Sequence, residues 1–272
     1  MRIELSELSV GYKSIPILAK LNFQFSSGGL NLILGPSGSG KTSLLLTICG
    51  FLIPISGKII FYNTDSPVNE LPQASIAFQN PENMFFLATA GEEITFGLLE
   101  SGIDSNESIK KGKQWLEAWG LNPESFWEKP PFFLSGGEKR RLALATATVL
   151  RPDVILLDEP LSGLDPISQK KILATLGKLS EDSLVLTVTH DIENLLPLAK
   201  SVSLIHGKDY YSFDCPVKFI KAVLAKPELY PLPDWYLQLT PQFSSEVPPP
   251  WPNIQSIKDY FRNMHEKKIP GE

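Results

Sequence analysis

The chain has 272 residues, 43% of them hydrophobic, which is enough for one large domain with an appendage or for two modest domains. Its 25 basic and 30 acidic side chains leave a net charge of −5, and this balance argues against a nucleic-acid partner. Two distant cysteines, Cys49 and Cys215, exclude a disulfide scaffold or a cysteine metal cluster and suit a reducing, cytosolic setting.

The N-terminus alternates as a strand does and lacks the apolar segment of a signal peptide. Strands are expected at Ile3–Val10 and Ile17–Phe25, with a turn near Gly11. Leu30–Leu34 is a buried strand that feeds a glycine-rich loop, and a helix is expected over Ser43–Cys49. Lys58–Tyr62 and Ser75–Phe78 are further short strands. From Met84 to Trp127, apolar residues recur at helical spacing, as in Trp115, Leu116 and Trp119, so a helical subdomain is expected between sheet elements. Then come a strong helix at Lys139–Leu150, a strand at Val154–Leu157, a helix at Pro166–Leu179 and a strand at Leu184–Thr189. A short helix at Ile192–Leu196 and a last core strand at Val202–Ile205 follow. This alternation implies an α/β fold with a mostly parallel sheet covered by helices. After Gly207 the texture changes: ten of the 23 prolines lie there, and segments such as Pro231-Leu232-Pro233 and Pro248-Pro249-Pro250 exclude regular helix or central strand. Lys218–Ala225 and Ile257–Met264 are the helices expected in this extension. No stretch approaches eighteen apolar residues, so the chain is not expected to cross a bilayer by itself.

Gly35-Pro36-Ser37-Gly38-Ser39-Gly40-Lys41-Thr42 stands between strand and helix as a phosphate-binding loop does. The glycines let the chain curl and aim amide hydrogens inward, and the next helix, entered at Ser43, offers its positive end to an anion. Lys41 is expected to reach the terminal phosphates, and the Thr42 hydroxyl to hold magnesium. The ligand expected is therefore a nucleoside triphosphate with its Mg²⁺. Asp158 and Glu159 end a strand where a parallel sheet presents its ligand crevice. Asp158 suits the magnesium shell, and Glu159 suits positioning or deprotonating an attacking water. Ser135-Gly136-Gly137-Glu138 combines a capping box with two exposed glycine amides, a second anion-binding design. One nucleotide hardly needs two cradles from one chain, which suggests a head-to-tail pair in which each subunit lends this segment to its neighbour. His190, at a strand end, either contacts the terminal phosphate or attacking water or is an ordinary surface histidine. Gln79 either senses magnesium or water at its strand end or is a packing residue. Tyr12 either stacks on adenine or is a half-buried turn aromatic.

Together these motifs resemble the ATP-binding-cassette (ABC) ATPases over about residues 1–215, with residues 216–272 as an extension. The resemblance implies a P-loop NTPase fold with a mostly parallel core sheet, an N-terminal antiparallel β subdomain and an inserted helical signature subdomain at about residues 84–150. It identifies Leu134-Ser135-Gly136-Gly137-Glu138 with the signature segment, although glutamine is commoner at the position of Glu138. Ser162-Gly163-Leu164-Asp165 matches the loop that links the two active sites. His190, Gln79 and Tyr12 match the switch histidine, the glutamine loop and the adenine-stacking aromatic. Gln79-Asn80-Pro81-Glu82-Asn83-Met84-Phe85-Phe86, followed by Glu92-Glu93-Ile94-Thr95-Phe96-Gly97, resembles the ATPases of energy-coupling-factor (ECF) importers of vitamins or of cobalt and nickel ions. Met84 and Ala90 stand where that pattern usually has glutamine and valine. The implied partners are a second ABC ATPase subunit, a transmembrane transmission subunit and a membrane substrate-binding subunit, with the chain peripheral at the cytoplasmic face. Glu92 and Glu93 are set to meet basic partner residues or to stand as solvated helix charge. Trp235, Tyr236, Leu237 and Phe243 either anchor the matching subunit or fold back on their own core. Exporters and soluble cassette proteins share the core motifs, but the long coiled coils, zinc-binding cysteines and basic patches of the soluble proteins are not visible here.

Overall fold

Alternate residues of the central strands go to opposite sides of one sheet. In β3 (Leu30–Leu34), Leu30, Leu32 and Leu34 join one apolar cluster and Ile33 the other. In β7 (Val154–Asp158), Ile155 and Leu157 face the first cluster, whereas Val154 and Leu156 face the second. That is the two-residue period of a strand buried on both faces. This computed structural model describes residues 1–63, 66–68 and 71–239, together with Trp251.

The large sheet runs in the order β10-β9-β3-β8-β7-β6, with β6 at Ala74–Ala77, β8 at Leu184–Val188, β9 at Ala199–His206 and β10 at Asp209–Phe213. All neighbours are parallel except the edge pair β9 and β10. The Val202–Ile205 segment expected from sequence is the buried part of β9, and one further, partly exposed edge strand, β10, follows it. A second sheet is antiparallel in the order β2-β1-β4-β5, built from β1 (Arg2–Tyr12), β2 (Ile15–Ser26), β4 (Ser56–Asn63) and β5 (Ser66–Val68). Its turn lies at Lys13 and Ser14, both at positive φ, two and three residues past Gly11. Gly11 is paired inside the hairpin, where a Cβ would come 2.0 Å from the Ile15 carbonyl oxygen. Between the sheets lies α1 (Lys41–Ile48), which begins two residues earlier than its apolar content indicated and buries Leu44, Leu45 and Ile48.

Residues between β6 and β7 form the inserted helical region: α2 (Ala90–Glu100), α3 (Ser105–Ala118), α4 (Pro123–Phe126) and α5 (Gly136–Thr148). Trp119 is fully buried at its centre, in keeping with a packing role. α6 (Pro166–Asp182) and α7 (Ile192–Leu195) complete the cover of the sheet.

After β10 the chain forms α8 (Pro216–Ala225) and α9 (Asp234–Leu239). α9 was hidden in the sequence by its prolines, yet Pro231 and Pro233 precede it and end before its first turn. Tyr236 is fully buried in the same apolar cluster as Leu30 and Leu204, and burial pushes its hydroxyl pKa up to about 12. The extension thus folds back on its own core at this point; Phe243 and Ile257–Met264 lie outside the described residues. Truncation of a fully buried aromatic loses its transfer energy and leaves a cavity. Tyr236→Ala is therefore expected to destabilise the full-length chain by about 3–5 kcal/mol, read from the denaturation midpoint.

Candidate functional site

β3 stops at Leu34 and α1 starts at Lys41, so Gly35–Gly40 is the loop between them. Gly35 has φ 153°, and a Cβ there would lie 2.7 Å from the Ile205 carbonyl oxygen, so only glycine lets the loop approach β9. Ser37 and Gly38 form its exposed tip. Lys41 Nζ donates to the carbonyls of Gly35 at 2.8 Å and Pro36 at 2.7 Å and lies 3.5 Å from Ser39 Oγ. Burial lowers the pKa of this ammonium, against the opposing pull of Glu159 and Asp158. Ser43 Oγ donates to the Tyr12 hydroxyl at 3.3 Å, which ties the end of β1 to α1 and leaves the Tyr12 ring half exposed.

Thr42 Oγ1 donates to Asp158 Oδ2 at 2.6 Å, so two of the three residues expected at the magnesium site, Gln79 being the third, meet. Burial raises the Asp158 pKa, with Glu159 adding to it and Thr42, Lys41 and Arg140 opposing. Among the described residues no group of three or more His, Cys, Asp or Glu could hold a metal. One hydroxyl beside one carboxylate nevertheless fits Mg²⁺, which takes most of its oxygens from water and phosphate.

Glu159 follows Asp158 with φ 51°, in the left-handed region that a non-glycine residue rarely adopts. Its backbone N–H donates to the Val188 carbonyl at 2.9 Å, and its buried side chain turns to the end of β8. There Thr189 Oγ1 donates to Oε2 at 3.2 Å, the His190 N–H reaches Oε2 at 3.4 Å, and His190 Nδ1 lies 2.7 Å from Oε1. The structure therefore brings Lys41, Thr42, Asp158, Glu159 and His190 together.

The signature segment lies elsewhere. Ser135 caps α5: Glu138 N–H donates to Ser135 Oγ at 3.4 Å, and the Glu138 carboxylate accepts from Ser135 N–H at 2.8 Å. Glutamate thus completes the capping box, and this backbone bond leads the causes that lower its pKa. A Cβ at Gly136 would meet nothing within 4 Å. Gly136 lines a cavity of 250 Å³ with Asn80, Glu82, Arg140 and Ser162, and no phosphate-loop residue contributes to its walls. Asp165 caps α6, accepting from the N–H groups of Ile167 and Ser168 at 3.0 and 2.9 Å and from Ser168 Oγ at 2.5 Å. Its carboxylate is engaged within its own loop.

Gln79 is exposed just past β6, and sequence reasoning missed the residue that holds it. Arg140, buried on α5, donates to the Phe78 carbonyl at 2.9 Å and to the Gln79 carbonyl. A signal was present: Arg140 sits three and four residues before Ala143 and Leu144, on the buried face. The neighbouring Lys139 pairs with Glu82. Of the two acids of α2, Glu92 is exposed, but Glu93 is not solvated. Glu93 is buried, and its Oε1 accepts from the Phe86 and Leu87 N–H groups at 2.6 and 2.7 Å. Glu92 closes a capping box with Thr89. Both serve the backbone of the preceding loop, whose donors would otherwise be unsatisfied.

A family model described as "ABC transporter" matches residues 18–162. The chain belongs to the ABC transporter ATP-binding family. Its α/β P-loop architecture, with an antiparallel N-terminal sheet and an inserted helical region, is that of these ATPases. The energy-coupling factor transporter ATP-binding protein EcfA of Methanocaldococcus jannaschii is 38% identical over 67% of this chain and 67% of its own. EcfA of Methanococcus maripaludis is 34% identical over 75% of this chain and 76% of its own. Among solved structures, cbiO1 from Clostridium perfringens, part of the ABC transporter complex cbiONQ, matches with TM-score 0.67 and 28% identity over 83% of this chain and 91% of that one. A dimeric ATP-binding cassette in a post-hydrolysis state bound to ADP and Pi matches with TM-score 0.66 and 29% identity over 74% and 93%. The ABC ATPase is thus closely related to the ECF type, and it binds and hydrolyses ATP as an energising subunit. No described helix is long and apolar enough to cross a membrane.

Because the folded state raises the Asp158 pKa, ionising this group opposes folding, and the penalty grows as pH rises through the unfolded and then the folded value. Asp158→Asn keeps an oxygen for Thr42 and removes the charge. It is expected to raise the melting temperature of the nucleotide-free chain by about 2 °C at pH 8, with the gain fading at pH values below both pKa values. A thermal melt at the two pH values checks the sign.

Proposed function

We propose that two copies of this ATPase, or this chain and a related one, close head to tail around two MgATP molecules and so drive an ECF-type importer of a vitamin or a transition-metal ion. The observation that carries this reading is the division of the site. The phosphate loop, Asp158, Glu159 and His190 converge in one chain, whereas Gly136, exposed and with nothing within 4 Å of where its Cβ would stand, opens a separate helix start beside the half-buried Gly137. A second chain offering that helix start completes a cradle that neither chain has alone.

In this reading Tyr12 stacks on the adenine, and the amides of residues 35–43 with Lys41 take the phosphates. Thr42 and Asp158, with Gln79 nearby, hold Mg²⁺. When bound, the ion neutralises charge on the β- and γ-phosphate oxygens. Glu159 orients the attacking water and accepts its proton, and His190 fixes the carboxylate and reaches the terminal phosphate. Ser135, Gly136 and Gly137 serve the neighbour's γ-phosphate, and Asp165 shapes the loop that meets the neighbouring site. Residues 1–215 form the ATPase domain in this scheme, and residues 216–272 an extension. The chain sits peripherally at the cytoplasmic face of the membrane and touches no transported substrate. A transmembrane transmission subunit, bearing a membrane substrate-binding subunit, docks on the helical region. The surface there is apolar: Phe86 and Phe96 meet edge to face at 5.1 Å, and Phe133 is 87% exposed.

Isolation of the native assembly in mild detergent, with mass identification of every subunit, should recover these membrane partners; a chain that runs alone or with soluble proteins contradicts the importer reading. Glu159→Gln should retain ATP binding and lose turnover by about 100-fold or more, read by nucleotide titration and phosphate release. Lys41→Ala removes a charge-assisted contact and should raise the ATP dissociation constant by about tenfold or more, measured by equilibrium titration.

A further inference from the structure

The C-terminal extension grips the segment that carries His190. The Tyr230 hydroxyl donates to the His190 carbonyl at 3.1 Å. Trp251 Nε1 donates to the Glu193 carbonyl at 3.2 Å. These two contacts bracket the stretch from His190 to Glu193, which joins the end of β8 to α7. The gripping residues are themselves anchored. The Tyr230 ring meets Phe219 edge-on at 5.8 Å, and the Trp251 ring lies 4.7 Å from that of the fully buried Tyr236 and 5.3 Å from that of Trp235. Residues 228–234 and 190–193 share the lining of a 780 Å³ cavity that reaches Gly35 and Pro36 of the phosphate loop.

We propose that Tyr230 is a positioning residue for ATP hydrolysis: its hydroxyl fixes the backbone at His190 and thereby the direction from which the imidazole meets Glu159. The inference rests on the role given above to His190. The His190 side chain is 74% exposed, so side-chain packing does little to orient it. Its orientation comes from the 2.7 Å contact of Nδ1 with Glu159 Oε1 and from the backbone, which is tied at both sides: the N–H to Glu159 Oε2 and the carbonyl to Tyr230. Losing the second tie leaves the carbonyl to water and lets the peptide swing. The donor is present throughout the working pH range, because burial, reinforced by Glu159 and Asp191, pushes the Tyr230 pKa up to about 12. The ring itself packs independently of the hydroxyl, so phenylalanine isolates the hydrogen bond.

The test is Tyr230→Phe in the full-length chain within its native assembly, assayed for kcat, KM for ATP and melting temperature, alone and combined with His190→Ala. A lost neutral hydrogen bond that acts on the transition state lowers kcat about fivefold. KM and melting temperature should stay near wild type, and in the His190→Ala background the second change should have no further effect. A wild-type kcat in Tyr230→Phe, an equal proportional loss in both backgrounds, or a loss that tracks a fall in melting temperature overturns the proposal. Wild-type turnover in His190→Ala or Glu159→Gln is a separate result, which defeats the catalytic reading itself.

Discussion

The carboxylate of Glu159 is held from three directions by the end of β8, and its own backbone is bent into the left-handed region to put it there. Such a conformation costs on the order of 1–3 kcal/mol and persists only when its surroundings over-determine it. Here the Val188 carbonyl takes the Glu159 N–H, and Thr189 and His190 take the side chain. The placement depends on sheet order. β8 lies between β3 and β7, so the phosphate loop, the Asp158–Glu159 pair and His190 leave the same sheet edge on adjacent strands. In an open parallel sheet, that edge is where ligands gather.

The motifs with a local physical cause were legible in the sequence. The phosphate loop needs glycines at fixed places, Ser135 and Glu138 spell a capping box, and the apolar runs of β3, β7 and β8 mark strands buried on both faces. What stayed hidden depends on residues distant in the chain. Arg140 stands in the basic run Lys139-Arg140-Arg141, where nothing local marks it as the residue that reaches the carbonyls at the end of β6. Glu93 looked like helix charge because nothing local reveals that the Phe86 and Leu87 amides come back to it. Likewise β10 and α9 sit in a proline-rich tail whose composition argues for irregular chain, whereas pairing with β9 and burial of Tyr236 make them regular. Local propensity is a weak prior that tertiary packing overrides.

Glycine-rich and capped elements divide the labour between the two kinds of anion site. The phosphate loop is preloaded, with Lys41 turned onto the carbonyls of Gly35 and Pro36. Phosphate oxygens entering the loop exchange one set of acceptors for another, so the lysine is never stranded without a partner. At α5, by contrast, the capping box satisfies the Ser135 and Glu138 amides, and the space over Gly136 is open. The lysine of the one site has its partners within the chain, whereas the start of α5 keeps open space at Gly136.

The guanidinium of Arg140 ties α5 to the carbonyls at the end of β6, and Lys139 ties the same helix to Glu82. The helix that opens at Ser135 and the strand end that carries Gln79 are therefore tied directly to each other. Free-energy coupling is symmetric between the sites it connects. In the proposed assembly, a membrane protein pushing on the helical region would alter the affinity for nucleotide as much as nucleotide alters the grip on that protein, so a loaded transporter would call for ATP through the same linkage by which ATP moves its cargo.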